Sequence, residues 1–349
     1  MFSVTLWQNR FEIVAQMKKI LIIHTGGTFG MVPLKPAPTL APNQVQANIT
    51  QFVPELRQIA EIDFRALFNL DSANITPTHW QQLATLIFDE LPNYDGFVVI
   101  HGTDSMIYTA AALSYMLRNL SKPVVLTGSQ RPLAEIRSDA RMNLINAAEL
   151  ATRDIPEVSI FFGTELLRGN RSAKVSGIDY GAFVSPNYPP LADVGLEITL
   201  HDNCLRPSGK PELLTAISDE VLAMPFFPGL HPEYLRWMID SPLKAIVVQA
   251  LGLGNVATQE KSLVPLVQSL SDAGKLVVIA SQSRHGFVDL QRYQNGKLIA
   301  EAGAVGAQDM TMEAVIVKLM HLLGTHPNAL ETVKKLLHEP IAGEVDPQA

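Results

Sequence analysis

The sequence predicts an α/β protein with two domains, an N-terminal, mostly parallel sheet flanked by helices and a smaller C-terminal parallel α/β domain. Short apolar runs recur along the chain, and most are continuously apolar, as are strands buried on both faces. Helical stretches separate these runs, as the crossovers of a parallel sheet require. The length of 349 residues fits two domains, since a domain holds roughly 150 residues.

The N-terminal domain is predicted to span residues 17–200. Met17-Lys18-Lys19 stands directly before the first apolar run, so residues 1–16 are interpreted as an N-terminal extension. The helices expected between the strands lie near 44–60, 77–90, 105–119 and 138–152. The predicted strands are Ile20–His24, Ile62–Phe68, Phe97–His101, Pro123–Thr127 and Val158–Phe162.

A polar, turn-rich segment at residues 201–225 predicts the linker between the domains. The C-terminal domain is then expected to cover residues 226–349. Its predicted strands are Ala245–Gln249 and Lys275–Ala280, and its helices lie near 259–273 and 311–323.

Composition and charge disfavour several classes of protein. The net charge is −7, which makes nucleic acid an unsuitable main partner. Cys204 is the one cysteine, which excludes an intrachain disulfide and a cysteine metal cage and indicates a reducing compartment. No apolar run approaches the roughly 20 residues that span a bilayer, and the first sixteen residues lack the pattern of a secretion signal. We therefore expect a cytoplasmic protein without membrane contact.

Glycines and hydroxyl side chains follow three of the predicted strands. These segments are Thr25-Gly26-Gly27-Thr28, His101-Gly102-Thr103-Asp104-Ser105 and Thr127-Gly128-Ser129-Gln130-Arg131-Pro132. In parallel α/β sheets, ligands bind beyond the carboxyl ends of the strands. The three segments are therefore the places where chemistry is expected.

The Thr25-Gly26-Gly27-Thr28 segment suits a nucleophile or an anion site. Paired glycines let backbone N–H groups approach a ligand and hold the adjacent hydroxyls against it. A tight strand-to-loop turn would explain the same residues. The following stretch has no strand or helix pattern and contains Pro33, Pro36, Pro38 and Pro42, which is typical of a lid and favours a site.

The segment after the third predicted strand offers a second set of reactive groups. Thr103 or Asp104 could simply cap the helix that follows, but a cap does not explain a matching hydroxyl at another strand end. A threonine hydroxyl needs a neighbouring base to act as a nucleophile. His24 and His101 lie at the tips of apolar strands and are interpreted as core imidazoles. Lys174 is the alternative base, because burial can lower the pKa of a lysine, although by itself it would be a surface residue.

Four motifs, taken together, resemble the bacterial L-asparaginase family and in particular its cytoplasmic type I branch. The resemblance runs from Lys18 to about Gly343. Any one motif alone is weak, whereas four in order at strand ends are highly specific. The motifs are Thr-Gly-Gly-Thr (25–28), His-Gly-Thr-Asp-Ser-Met (101–106), Leu-Thr-Gly-Ser-Gln-Arg-Pro-Leu (126–133) and Arg-Gly-Asn-Arg-x-x-Lys (168–174).

The resemblance implies a division of roles among the residues at the strand ends. Thr25 would attack the side-chain amide of L-asparagine. Thr103, Asp104 and Lys174 would form a second group, in which the hydroxyl and the lysine relay a proton or activate water while Asp104 holds the lysine and faces the ammonium of the substrate. The backbone N–H of Thr103 is a candidate oxyanion donor.

The resemblance also implies substrate-binding residues and an assembly. Asp71 and Ser72 would bind the charged α-groups of the substrate, although an Asx turn is the alternative explanation of this pair. Asn255 would complete the pocket of a neighbouring subunit. A homodimer or homotetramer is therefore expected, with no metal ion and no organic cofactor.

Two departures from the family pattern bear on activity and regulation. Residues 29–50 contain no tyrosine, whereas family members carry one in this loop, which leaves the activation of Thr25 without its usual explanation. Some type I enzymes have an allosteric asparagine site built from threonine, arginine and cysteine. This chain has Ala173, Gln249 and Ser283 at those positions, so we expect no regulation of that kind.

The sequence favours an L-asparaginase that also acts weakly on L-glutamine, and three other functions are alternatives. Gly252-Leu253-Gly254-Asn255-Val256-Ala257 fits the dinucleotide fingerprint of an oxidoreductase, but the next predicted strand ends in Ser281-Gln282 rather than in an acidic residue. The amidotransferase subunit that shares these motifs carries a sizeable domain before Thr-Gly-Gly-Thr, where this chain has 24 residues. Ammonia release would distinguish the third alternative, a non-catalytic amino-acid binder.

Overall fold

The computed structural model of the protein describes residues 17–30, 49 and 51–346. Its strands are β1 (Lys19–Gly26), β2 (Glu61–Leu70), β3 (Gly96–Ile100), β4 (Leu117–Arg118), β5 (Val124–Thr127), β6 (Val158–Phe162), β7 (Glu165–Arg168), β8 (Ala173–Lys174), β9 (Phe183–Val184), β10 (Ala192–Val194), β11 (Ile198–Leu200), β12 (Glu212–Leu213), β13 (Val221–Pro225), β14 (Ala245–Ala250), β15 (Leu276–Ser281) and β16 (Val305–Gly306). Its α-helices are α1 (Leu56–Ile59), α2 (Pro77–Glu90), α3 (Met106–Met116), α4 (Ala140–Leu150), α5 (Val264–Asp272), α6 (Gln294–Glu301), α7 (Met312–Thr325) and α8 (Leu330–Leu337). Short 3-10 helices are Thr28–Gly30, Ser72–Asn74, Gly169–Arg171 and Pro232–Met238.

The larger sheet has the strand order β11-β10-β7-β6-β5-β3-β1-β2. The strands from β2 to β6 in this order run parallel, and β7, β10 and β11 extend the sheet with antiparallel pairs. Because β1 has β2 on one side and β3 on the other, the chain reverses its direction of winding between β1 and β3. Such a switch point opens a crevice at the carboxyl ends of the two strands.

Side chains of the parallel strands alternate between two apolar cores. In β1, Leu21 and Ile23 pack with α2 and α3, whereas Ile20 and Ile22 pack with α1 and α4. All four are at most 1% exposed. The continuously apolar pattern of these strands arises because helices cover both faces of the sheet.

The second sheet, β13-β14-β15-β16, is parallel throughout and also has an apolar core on each face. These two sheets confirm the predicted α/β class with a smaller parallel C-terminal sheet. The edge strand β13 lies inside the 201–225 segment that was predicted as linker. Residues 221–224 are all apolar but only half-buried at the edge of the sheet, and the polar stretch before them led the whole segment to be predicted as linker.

Several boundaries differ from the sequence-based expectation. The helix predicted from residue 259 begins at Val264, because Pro265 has no N–H to donate and fits only the first turn of a helix. The helix predicted to end at residue 119 stops at Met116, and Leu117–Arg118 instead pairs with Glu212–Leu213. The expected extension at 1–16, the proline-bearing lid and the start of the helix near 44–60 lie outside the described residues. The described remainder of 44–60 contains α1, Leu56–Ile59.

Candidate active site

Thr25 lies at the carboxyl end of β1, beside the end of β3 at the switch point. Its side chain is 1% exposed, and its Oγ1 donates a hydrogen bond to the carbonyl of Ile100 at 2.9 Å. Ile100 is the last residue of β3 and comes directly before the His101–Ser105 segment. Within the described part of the chain, the Thr25 hydroxyl makes no hydrogen bond to Thr103, Asp104 or Lys174.

Two glycines allow the strand ends to approach one another closely. Gly27 has a φ of +83°, and a Cβ atom on it would lie 2.4 Å from the Cα of Gly102. A Cβ atom on Gly102 would lie 2.7 Å from the Cβ and Oγ atoms of Ser72. The ends of β1, β2 and β3 are therefore in backbone contact, at a distance that any side chain at these two positions would prevent.

Lys174, the last residue of β8, connects this strand to the His101–Ser105 segment. Its Nζ donates to Thr103 Oγ1 at 2.9 Å and to Asp104 Oδ1 at 2.6 Å. The Lys174 side chain is 16% exposed and that of Asp104 is 71% exposed. Because the ammonium group donates to the Thr103 oxygen, the hydroxyl proton of Thr103 is available to another acceptor.

Neither Thr103 nor Asp104 caps helix α3. Ser105 occupies the N-cap position, and its side chain makes no bond to the helix backbone. Instead, Ser105 Oγ donates to the carbonyl of Ser72 at 2.6 Å and ties the loop after β2 to the start of α3. The capping explanation of Thr103 and Asp104 is therefore not supported by the geometry.

Three residues that the sequence analysis left without a role tie the segment around Lys174 to the C-terminal domain. The Arg171 side chain is 2% exposed, and its Nη1 lies 2.5 Å from Asp309 Oδ2, on the far side of the domain boundary. Arg284, which follows β15, donates from Nη1 to the backbone carbonyl of Lys174 at 2.8 Å. Asp309 and Arg284 each lie more than a hundred residues from their partner in the sequence. A pattern of neighbouring residues therefore could not reveal the contacts that they make.

The predicted substrate-binding residues lie in different surroundings. Asp71 accepts a hydrogen bond from the backbone N–H of Ala73 at 2.9 Å, as the Asx-turn explanation requires. Ser72 is 4% exposed and touches the Gly102 backbone, so it joins the group at the strand ends. Asn255 exchanges backbone hydrogen bonds with Leu251 in the C-terminal domain, and within the described residues its side chain does not join that group.

The two histidines at strand tips are core residues, as their positions indicate. His24 is 5% exposed and His101 is 1% exposed. Burial lowers the pKa of each imidazole to about 4, since a protonated ring would lose its hydration. Both rings are therefore neutral at neutral pH.

The Gly252–Ala257 segment lacks the geometry of a dinucleotide site. The fingerprint needs its glycines to open a helix whose N-terminus faces the pyrophosphate. Here Leu251 and Asn255 close a tight turn, and α5 begins only at Val264. The oxidoreductase alternative therefore loses the feature on which it depended.

Comparisons with known proteins agree with the four motifs. Residues 19–206 match the model of the N-terminal asparaginase domain, and residues 220–337 match that of the glutaminase/asparaginase C-terminal domain. The chain belongs to the asparaginase family. The resemblance drawn from the sequence is thereby confirmed.

Individual asparaginases are similar to the chain over almost its whole length. L-asparaginase 1 of Escherichia coli is 38% identical over 95% of this chain and 99% of its own. The structure of the thermostable L-asparaginase from Thermococcus kodakarensis matches with a TM-score of 0.88 and 35% identity, over 94% of this chain and 99% of that one. L-asparaginase I from Vibrio cholerae matches with a TM-score of 0.85 and 36% identity, over 95% and 99% of the two chains.

The positions of the family's allosteric site come together in this chain. Ala173, Gln249 and Ser283 line one cavity of about 140 Å³, together with Arg284 and Glu313. Burial raises the pKa of the Glu313 carboxyl, which lies in this cavity wall. The cavity therefore exists without the threonine, arginine and cysteine expected of an asparagine effector site.

Metal-ligand clusters and membrane-spanning helices are both absent from the described residues. No three His, Cys, Asp or Glu side chains in the described ranges are grouped as ligands for a metal ion. Among the helices of the same residues, none combines the length and the apolar character that crossing a bilayer demands.

Proposed function

We propose that this protein is an L-asparaginase, which hydrolyses the side-chain amide of L-asparagine to L-aspartate and ammonia. The observation that carries the proposal is the contact of Lys174 Nζ with both Thr103 Oγ1 and Asp104 Oδ1, at 2.9 and 2.6 Å, beside the strand end that bears Thr25. Membership of the asparaginase family supports the same substrate class.

Thr25 is assigned as the nucleophile. Its Oγ1 attacks the amide carbon, the C–N bond breaks, and the departing nitrogen takes up a proton and leaves as ammonia. The resulting ester is hydrolysed by water, which releases L-aspartate and restores Thr25. The Ile100 carbonyl, which accepts the Thr25 hydroxyl, is too weak a base to take its proton, so the hydroxyl must leave this bond as it attacks.

Thr103, Asp104 and Lys174 are assigned to proton transfer and substrate binding. The short Lys174–Thr103 contact lets a proton move along the pair toward the water or the leaving nitrogen. Asp104 is the more exposed partner, so its second oxygen can face the ammonium group of a bound amino acid. Asp71 and Ser72 are proposed to receive the α-carboxylate and α-ammonium groups from the other side.

A homodimer or homotetramer is proposed, with Asn255 reaching the site of a neighbouring subunit. The exposed aromatic surface of the C-terminal domain supports self-association. Tyr234 is 77% exposed and Trp237 is 57% exposed, and in a 3-10 helix residues three apart lie on the same face. Two exposed aromatic rings on one face are typical of a protein interface. A cytoplasmic location is proposed from the single cysteine, Cys204.

The test measures ammonia release from L-asparagine, L-glutamine and D-asparagine by the wild-type protein and by Thr25→Ala and Lys174→Ala. We expect L-asparagine to be the preferred substrate, with L-glutamine weak. Each substitution should lower kcat on the order of 1000-fold or more, because the chemical steps lose a group that acts with the others. Circular dichroism and thermal melting should remain close to those of the wild type.

Thr85→Ala is the matched control. Thr85 is a half-buried threonine that bonds within helix α2, far from the strand ends, so this variant should keep wild-type turnover. Full turnover by either Thr25→Ala or Lys174→Ala would contradict the assigned roles. Binding of L-asparagine without ammonia release by the wild type would instead identify an amino-acid binder.

A further inference from the structure

A chain of buried hydrogen bonds runs from helix α2 to the segment that carries Thr103. Trp80 Nε1 donates to Thr109 Oγ1 at 3.0 Å. Thr109 Oγ1 lies 2.9 Å from His101 Nε2, and His101 Nδ1 lies 2.8 Å from the carbonyl oxygen of Gly102. Trp80 is 6% exposed, and Thr109 and His101 are each 1% exposed, so solvent does not compete for these bonds.

The partners along this chain settle where each proton lies. The Gly102 carbonyl can only accept, so Nδ1 of His101 must carry the proton. Burial lowers the pKa of His101 to about 4, so the ring holds one proton at neutral pH and Nε2 is an acceptor. Thr109 therefore receives the Trp80 N–H and gives its own proton to Nε2. All the bonds point the same way, toward the Gly102 oxygen.

The Gly102 oxygen and the Thr103 N–H belong to the same planar peptide group. In a trans peptide they point in opposite directions, so a bond that fixes the oxygen also fixes the N–H. Within the described residues, the Thr103 N–H donates to no acceptor. A hydrogen bond accepted by the carbonyl also polarises the group and makes its N–H a stronger donor.

Glycine at position 102 makes this restraint necessary. The contact with Ser72 and Gly27 leaves no space for a side chain at 102, and a glycine leaves its following peptide freer to rotate than other residues do. Because the close contact requires glycine at position 102, the peptide between residues 102 and 103 lacks the rotational restraint that a side chain would impose. The His101 bond replaces that restraint.

We propose that His101 is a positioning residue of the hydrolytic site, which holds the Thr103 N–H toward the oxyanion formed at the amide carbon, with Thr109 and Trp80 fixing its tautomer. This role rests on the proposed hydrolysis of L-asparagine. It deepens that function by assigning the orientation of one oxyanion donor to a buried network outside the substrate contacts.

The first test compares Thr109→Val with Thr109→Ser. Valine keeps the shape of the side chain and removes the donor to Nε2, whereas serine keeps the hydroxyl. Loss of a whole oxyanion donor lowers kcat by about 100- to 1000-fold, so a loosened donor should lower it by roughly 10-fold or more in Thr109→Val. KM should stay within about twofold, and Thr109→Ser should restore most of kcat.

Ser114→Ala is the matched control for packing. It removes a buried hydroxyl from the same helix, α3, where Ser114 Oγ donates to the Ala110 carbonyl at 2.8 Å without touching His101. Both variants lose a buried hydroxyl, but only Thr109→Val should lose kcat. An equal loss of kcat in the two would show a general effect of helix packing and would overturn the proposal.

A second readout separates positioning from structure. When a hydroxyl group of the protein adds to the aldehyde of L-aspartate β-semialdehyde, the tetrahedral adduct carries an oxyanion, as the transition state does. L-aspartate forms no such adduct. The affinity of Thr109→Val for the semialdehyde should fall with kcat, while its affinity for L-aspartate stays unchanged. Equal losses for both compounds would indicate a merely structural role and would refute the proposal.

Measurements on the wild-type protein test the tautomer of His101 and separate the positioning role from the proposed function. Nitrogen-15 NMR of the His101 ring should show the Nδ1–H tautomer at pH 7, and the Nε2–H tautomer would overturn the inference without any variant. Wild-type hydrolysis with unchanged kcat in Thr109→Val would refute the positioning role alone. A wild type that releases no ammonia would refute the proposed function, and the positioning role with it.

Discussion

Gly102 lies between the Ser72 side chain and the Gly27 backbone. Replacing it with alanine would place a Cβ atom 2.7 Å from two Ser72 atoms, so the loop after β2 must move. We expect Gly102→Ala to reduce turnover of L-asparagine by at least about 10-fold, because displaced reacting groups lose rate steeply. Overpacking of this kind also costs about 1–3 kcal/mol of the free energy of unfolding, measurable by urea denaturation.

Gly177→Ala is the control for this prediction. A Cβ atom on Gly177 meets nothing within 4 Å, and this glycine does not require a positive φ. Its substitution should change neither turnover nor the urea midpoint. Wild-type turnover in Gly102→Ala would mean that the loop after β2 can retreat without disturbing the site, contrary to the contact described above.

At the scale of elements, a buried ion pair attaches helix α7 to the chain after α8. Lys318 Nζ lies 2.5 Å from Glu344 Oε1, both side chains are 0% exposed, and Nζ also donates to the Leu337 and Glu339 carbonyls. Lys318→Met would leave the Glu344 carboxylate buried without its cation. We expect the free energy of unfolding to fall by about 3–5 kcal/mol in urea denaturation.

The double variant Lys318→Met/Glu344→Gln separates the lost charge from the lost contact. Glutamine keeps an acceptor for the Ile341 and Ala342 backbone N–H groups and removes the uncompensated charge, so the double variant should regain at least part of the stability. Lys335→Met removes the partner of Glu339 at the surface and should leave stability nearly unchanged. A double variant no more stable than Lys318→Met would contradict the charge-based explanation.

The elements themselves divide into those that local pattern reveals and those that depend on distant partners. β1, β3, β5 and β6 each contain a mainly apolar run and were predicted to within two residues, since burial on both faces demands that pattern. β4 was missed, because Leu117–Arg118 continues the apolar pattern of α3 and becomes a strand only through Glu212–Leu213. Pairing between segments so distant leaves no local signal.

For the whole molecule, buried histidines predict a loss of stability in acid. Burial lowers the pKa of His24, His101 and His321 to about 4, against about 6.5 in an unfolded chain. Between these values the unfolded chain binds protons that the folded protein does not, so stability falls as the pH falls from 6.5 to 4. Each histidine should cost about 2 kcal/mol at pH 5 relative to pH 7. Burial raises the pKa of Glu313, so the folded protein binds this proton more readily than the unfolded chain does. This one carboxyl group therefore acts against the effect of the three histidines.

Urea denaturation at pH 7, 6 and 5 tests this expectation. His321→Asn removes one titrating ring and should make the pH dependence shallower. Equal stability at pH 7 and pH 5 in the wild type would show that these rings are not held neutral by burial.

The part of the candidate site that lies at the ends of the strands was predictable from the sequence. Thr25, Ser72 and Thr103 follow parallel strands, and the order of those strands brings their ends to one edge. Lys174 was placed there by family resemblance, because nothing local distinguishes it from a surface lysine. The roles of Arg284 and Thr109 were not predictable, since each depends on a hydrogen bond whose partner is set by packing.

The amino-acid sequence by itself determined the α/β class, the mostly parallel first sheet, the smaller parallel second sheet and the family, because apolar periodicity and ordered motifs are local properties of a chain. Only the tertiary structure decided which groups meet. Asp309 and Arg284, which hold the loop of Lys174, come from the C-terminal domain, 138 residues from Arg171 and 110 residues from Lys174 respectively. Contacts over such separations form only when two cores pack together, so they depend on the three-dimensional arrangement rather than on any pattern along the chain.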